Sequence, residues 1–203
     1  MNTHAFVKIC GLATAEDVTV AVAGGADALG FVLTSSAREI TPAHAATLTA
    51  LVPQGVATVA VFRSEDTATA ITRAREAGVG WIQLHGTRTP AEVAGVLEAG
   101  FKVIRAVRMD APTEQFEHWG EDFLLIDAAV PGSGESWDYA KVRTLAAGRN
   151  WLVAGGLSTA NVAAALAESG ASGADVSSGV ESSRGVKDPA LITAFLKAAH
   201  QQP

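Results

Sequence analysis

The chain contains one cysteine, Cys10, and one tyrosine. A single cysteine excludes an intrachain disulfide and any cysteine-rich zinc site. No apolar run reaches the roughly 18 residues that a membrane-spanning helix needs. The opening Met1-Asn2-Thr3-His4 leads into a strand-like segment rather than a charged stretch and an apolar signal core. Lys and Arg number 15 against 21 Asp and Glu, a net charge of −6, and no basic cluster occurs. Nucleic acid and membrane surfaces are therefore not expected as partners, and a reducing cytoplasm is the expected location. Charged residues make up only 18% while hydrophobic residues make up 48%, a composition for a packed core rather than a disordered chain. With 203 residues and no linker or low-complexity stretch, a single domain over 1–203 is expected.

What is present is an alternation. Eight short runs rich in Val, Ile, Leu and Phe occur: Ala5–Cys10, Ala28–Leu33, Ala57–Phe62, Trp81–His85, Lys102–Val107, Phe123–Asp127, Trp151–Gly155 and Gly173–Ser177. Each has the length of a buried parallel strand. Helix-start signals lie between them. Thr41-Pro42 and Asp188-Pro189 place a capping residue before a proline, and Thr89-Pro90-Ala91-Glu92 adds a capping-box glutamate. Thr14, Thr67 and Ser158 are further candidate caps, and Gly24-Gly25, Gly78 and Gly100 are candidate stops. The fifth helix, near Thr113–Trp119, reads as short and the sixth, near Asp138–Ala147, as moderate. Eight strand–helix units in one chain predict an α/β fold, a closed (β/α)8 TIM barrel. An open doubly wound sheet would more often carry a glycine-rich G-x-G-x-x-G loop after its first strand, and Lys8-Ile9-Cys10-Gly11 is not one.

Residues alternate faces along a strand. Lys8 and Cys10 share a face, as do Gln83 and His85. Arg105 lies opposite Ile104, Asp127 ends its strand opposite Ile126, and Asp175 shares a face with Ser177. The polar sets are expected to point into the barrel, several at its C-terminal mouth where barrel enzymes build their sites. Taken alone, each has a plainer role: Cys10 as a small buried hydrophobe, Asp127 as a helix cap, His85 as a structural histidine, Lys8 as partner to an interior carboxylate. Two late segments suit an anion. Gly155-Gly156 follows the seventh strand, and Ser177-Ser178-Gly179 follows the eighth with a candidate short helix at Ser178–Ser182. Glycines let backbone approach a phosphate, and barrel phosphate sites sit after strands seven and eight. A third stretch, Pro131–Ser136, leaves open a lid, a second phosphate clamp through Gly132, Ser133 and Gly134, or an ordinary loop. The five histidines lack a ligand spacing such as His-Glu-x-x-His, so no metal is expected.

Lys8-Ile9-Cys10-Gly11-Leu12, Gly30-Phe31-Val32, Gln83-Leu84-His85-Gly86, Gly132-Ser133-Gly134, Ala154-Gly155-Gly156-Leu157, Asp175-Val176-Ser177-Ser178-Gly179-Val180-Glu181 and Gly185-Val186-Lys187-Asp188 together resemble the phosphoribosylanthranilate isomerase family of tryptophan biosynthesis. The resemblance runs from about Lys8 to Phe195. It implies an Amadori rearrangement of a phosphorylated aminoaldose to an aminoketose, with Asp127 as general acid, Cys10 as general base, Arg38 for the anthranilate carboxylate and His85 lining the site. No cofactor is expected, because the substrate's own imine is the electron sink; a monomer and a homodimer both stay open. The family's Ser-Pro-Arg is here Ser36-Ala37-Arg38. Chemically, Lys8 is placed to stabilise a Cys10 thiolate or to hold a carboxylate in place, and Lys8 and Asp175 are expected among the substrate-binding residues. Competing readings are a related barrel isomerase of histidine biosynthesis or a bifunctional one, a catalytically inactive barrel that binds a phosphometabolite, and a metal-dependent barrel epimerase. The first would use two aspartates, and the last would need His and Asp ligands at several strand ends.

Overall fold

A computed structural model describes residues 4–127, 139–146 and 148–201. Eight strands, β1 (Phe6–Cys10), β2 (Ala28–Val32), β3 (Ala57–Phe62), β4 (Trp81–His85), β5 (Lys102–Arg108), β6 (Phe123–Asp127), β7 (Trp151–Ala154) and β8 (Gly173–Val176), pair in chain order. The pairing is parallel throughout and closes between β1 and β8 with Lys8 opposite Asp175. Around them run α1 (Ala15–Ala23), α2 (Pro42–Thr49), α3 (Thr67–Glu76), α4 (Pro90–Glu98), α5 (Tyr139–Leu145), α6 (Val162–Ser169) and α7 (Pro189–His200). After β8 come a single 3-10 turn at Ser178–Val180 and a small hairpin, β9 (Glu181–Ser183) with β10 (Val186–Lys187). No described helix is long and apolar enough to cross a membrane.

The helices start where their caps demand. Thr14 and Asp17 form a capping box on α1, and Thr89 and Glu92 form another on α4. The Asp188 carboxylate accepts the N–H groups of Ala190 and Leu191 at the start of α7. Two expected caps are displaced. Asp66, not Thr67, caps α3, accepting the Thr69 N–H at 2.8 Å, because an ionised carboxylate is the stronger acceptor there. Ser158 caps nothing with its side chain; Asn161 precedes α6 and its Oδ1 accepts the Ser158 N–H at 2.7 Å.

Two apolar layers result. Val7, Ile9, Leu29, Phe31, Phe62, Ile82, Leu84, Leu124, Ile126 and Val153 are buried against the helices. Ala28, Val59, Ile104, Ala106, Leu125, Leu152 and Ala154 fill the barrel interior. Phe6 and Phe123 stack at 4.7 Å between ring centroids within that inner cluster.

Strand β5 departs from the expected facing. Ile104 and Ala106 line the interior, so Arg105 between them points outward, fully buried. The unit after β5 has only a 3-10 turn, Thr113–Phe116, in place of an α-helix. With no apolar helix face to cover the strand, a cation fills the space. The Arg105 guanidinium donates to the Gln115 and Glu117 carbonyls, pairs with Glu121 at 2.7 Å and lies 3.9 Å over the Trp119 ring. Arg149 reaches the same Glu121 at 3.3 Å. Both neighbours of Arg105 are apolar on either face, so alternation alone could not assign its side.

Removing one member of a buried ion pair leaves the other charge uncompensated, typically at a cost of about 3–5 kcal/mol. Arg105→Ala leaves Arg149 on Glu121 but strips the Gln115 and Glu117 carbonyls of their donor, so it is expected to destabilise the barrel by about 3 kcal/mol, the low end of that range, read from the urea midpoint. A variant within about 1 kcal/mol of the parent would show the pair to be dispensable.

Candidate active site

The C-terminal ends of the strands enclose a cavity of about 320 Å³. Cys10 enters it from the end of β1, His85 from β4, Asp127 from β6 and Asp175 from β8. These ends converge because the interior-facing register that seats Ile104, Leu125 and Leu152 below also aims every second residue inward above. Arg38 comes from the loop after β2, and Gly155, Gly156, Ser177, Ser178 and Gly179 come from the loops after β7 and β8. Gly132, Ser133 and Gly134 lie outside the described residues.

Lys8 sits beneath the floor of the cavity with no exposure, its Nζ 2.8 Å from Asp175 Oδ1. Burial opposes the ammonium, but Asp175 and Cys10 more than offset it, and the lysine pKa is raised. Lys8 therefore holds a carboxylate, the second of its two expected roles. It also bears on Cys10. Burial pushes the thiol above its ordinary range, Lys8 pulls it down, and Asp175 pushes it up again, leaving a net rise. Room for this cluster is made by Gly30. A Cβ there would lie 2.9 Å from Cys10 Sγ and 3.2 Å from Lys8 Cε. His85 is held neutral by burial and by the charge of Arg63, both lowering its pKa.

The glycine loops meet closely. Gly155 and Gly156 adopt φ of 87° and 67°, the left-handed region that glycine enters freely. Gly179 passes so near the loop after β7 that a Cβ would fall 1.8 Å from the Leu157 carbonyl oxygen. The two loops thus form one continuous backbone surface on the cavity wall. The short turn at Ser178–Val180 stands where a brief helix is expected, ending two residues earlier than Ser182.

Arg38 is not free in the mouth. Its Nε and Nη2 donate to Glu181 at 2.6 and 2.9 Å. Lys187 donates to the same carboxylate at 2.9 Å and to the Ser177 carbonyl at 2.9 Å. Against the cost of burial, these two cations and the Gly185 N–H hold the Glu181 carboxyl down at about 2. Sequence reasoning quoted Glu181 and Lys187 in motifs without giving them roles. Arg63 and Thr34, and Ser36 of the Ser36-Ala37-Arg38 segment, also line the cavity without an expected role. No spacing marks these residues, since each lies on a loop. Gln83, on the inner face as expected, keeps its buried Oε1 without a hydrogen-bond partner.

A closed parallel barrel with polar groups at its C-terminal mouth, and glycine loops after strands seven and eight, defines a (β/α)8 enzyme of the class that builds its site at that mouth. The family model for N-(5'-phosphoribosyl)anthranilate (PRA) isomerase matches residues 7–198, and the chain belongs to that family. It is 42% identical to the N-(5'-phosphoribosyl)anthranilate isomerase of Paracoccus denitrificans, over 95% of this chain and 96% of that one. Its fold is similar to the crystal structure of TrpF from Jonesia denitrificans, with TM-score 0.86, 40% identity and 96% of each chain covered. It is also similar to a phosphoribosyl anthranilate isomerase solved in complex with reduced 1-(o-carboxyphenylamino)-1-deoxyribulose 5-phosphate. There the TM-score is 0.83 at 31% identity, covering 96% of this chain and 98% of that one.

Two outcomes are expected. Gly30→Ala forces a contact with Cys10 and Lys8 and costs about 1–3 kcal/mol by overpacking, measured by urea denaturation. Glu181 titrates at about 2 when folded against an ordinary 4.5. A depressed carboxyl contributes stability above its unfolded value and loses it as pH falls through the folded one. Denaturation midpoints of the parent are expected to fall between pH 4.5 and 2, and Glu181→Gln to flatten that fall. An unchanged slope would remove Glu181 from the acid response.

Proposed function

We propose that this chain, as one barrel domain in the cytoplasm, rearranges N-(5-phosphoribosyl)anthranilate to 1-(2-carboxyphenylamino)-1-deoxyribulose 5-phosphate, the isomerase step of tryptophan biosynthesis. The observation that carries this reading is the cavity itself. Cys10 and Asp127, on β1 and β6, line one pocket whose wall is the paired glycine loops. Strands β7 and β8 separate the two along the barrel, so an acid and a base can flank a substrate anchored elsewhere.

In this scheme the Asp127 carboxyl donates a proton to the furanose ring oxygen, and the ring C–O bond breaks to leave a protonated Schiff base. The Cys10 thiolate takes the proton from C2. The electron pair of that C–H bond moves into the C1–C2 bond as the iminium accepts it, giving an enolamine that tautomerises to the ketone. The phosphate is bound by backbone N–H groups of Gly155, Gly156, Ser177, Ser178 and Gly179, which suits an acidic chain because the donors carry no formal charge. Arg38 has five N–H donors and spends two on Glu181, leaving others for the anthranilate carboxylate. Neutral His85 lines the site, and the Lys8–Asp175 pair supports Cys10 from below. The complex of a relative with a reduced product analogue is consistent with this ligand class.

The test is loss of phosphoribosylanthranilate fluorescence, with substrate generated in situ from anthranilate and phosphoribosyl pyrophosphate. Rapid loss that disappears in both Cys10→Ala and Asp127→Asn is the expected result; loss no faster than spontaneous hydrolysis by folded protein would overturn the assignment. The base must be ionised, and the Cys10 pKa is raised. The value of kcat/KM should therefore climb with pH through a limb above the ordinary thiol range. Lys8→Met, which removes the cation that opposes this rise, should move the limb higher still; an unmoved limb would sever Lys8 from the thiol.

A further inference from the structure

The opposite end of the barrel carries a second cluster of side chains that the isomerisation does not use. His4 precedes β1, Asp27 precedes β2, and His200 ends α7, so all three meet at the N-terminal end of the strands. We propose that His4, Asp27 and His200 form a binding site for a divalent transition metal ion, with Zn2+ as its natural occupant. One ring nitrogen from each histidine and a carboxylate oxygen of Asp27 all lie within 4.8 Å of one another. His4 Nε2 stands 3.4 Å from Asp27 Oδ2. Two ligands held at about 2.0–2.1 Å from one tetrahedral zinc lie about 3.3 Å apart, so one edge of the coordination shell is already formed. The two imidazoles are 4.2 Å apart between centroids with planes 39° apart. The third donor, from His200, lies within the same 4.8 Å.

A histidine–aspartate ion pair accounts for His4 and Asp27 only. It leaves His200 unexplained. The Nε2 of His200 is buried without a hydrogen-bond partner, an orphan that a metal would satisfy. Asp27 is aimed by the backbone, since Oδ2 accepts the Val7 N–H at 2.8 Å. Such an orienting contact is what metal-ligating carboxylates usually have. Two nitrogens and one oxygen suit zinc or its borderline neighbours, and the exposed side of His4 leaves the fourth position to water. The ion would tie the residues ahead of β1 to the last turn of α7, at the end of the barrel where side chains serve stability rather than chemistry. Among the described residues no other group of three such donors comes together, the catalytic mouth included.

Zn2+ titrated calorimetrically into EDTA-treated protein, with thermal unfolding in parallel, tests the site. One equivalent is expected to bind. Tm is expected to rise by roughly 5–10 °C when free Zn2+ is about a hundredfold above its dissociation constant. His4→Gln, at an exposed position ahead of β1, and His200→Gln should each weaken binding at least tenfold. His118→Gln, between the turn after β5 and the start of β6, should not. Absence of binding, a smaller loss in either variant, or a loss in Cys10→Ala instead would overturn the proposal. Isomerase activity is not the readout, so failure of the metal site and failure of the catalytic assignment are separate results.

Discussion

A lysine with no solvent exposure sits at the seam where the barrel closes. Lys8 is tolerable there because Asp175 lies 2.8 Å away on the strand that completes the ring. An unpaired ammonium at that depth would cost far more than the seam's hydrogen bonds return. The pair sets the register of β1 against β8, and the rest of the mouth inherits it. Two residues beyond Lys8 on the same face is Cys10; two beyond Asp175 is Ser177, the first residue of the loop that lines the cavity after β8. One interaction thus positions Cys10 and the loop after β8 together, and its charges also bear on the thiol.

Polar residues in this barrel are divided between two tasks by the covering layer rather than by their chemistry. Arg105 is as buried as Lys8 and as firmly paired, yet it faces away from the site. The reason is the missing helix after β5, whose place is taken by a single turn with carbonyls to satisfy. A guanidinium can satisfy several acceptors in one plane and still stack on Trp119, which an ammonium could not do as well. The same logic recurs at the mouth, where Arg38 and Lys187 converge on Glu181 and brace the hairpin that follows β8.

Glycines mark where backbones must come close. Gly30 leaves space for a thiol and a lysine stem, and Gly179 lets two loops touch at backbone distance. These are packing requirements imposed by neighbours on other strands. They act over contacts that are distant in sequence, so a glycine's role depends on which loop it faces.

The strand count, their order and the barrel class were legible in the chain, because apolar runs of strand length alternating with capped amphipathic segments have few topological solutions. Cys10, Asp127, His85 and Asp175 were legible too, since a polar residue ending an apolar strand on the inner face points to the mouth. Alternation failed at Arg105, where both faces are apolar and only the covering layer breaks the tie. It could not reveal Glu181 and Lys187 as partners of Arg38, nor bring His4, Asp27 and His200 together. By itself the sequence determined periodicity, caps and the chemical types at strand ends, because those depend on neighbours along the chain. Only the tertiary structure decided which charges pair and which side Arg105 takes, because those depend on closure of the ring, which joins residues from opposite ends of the chain.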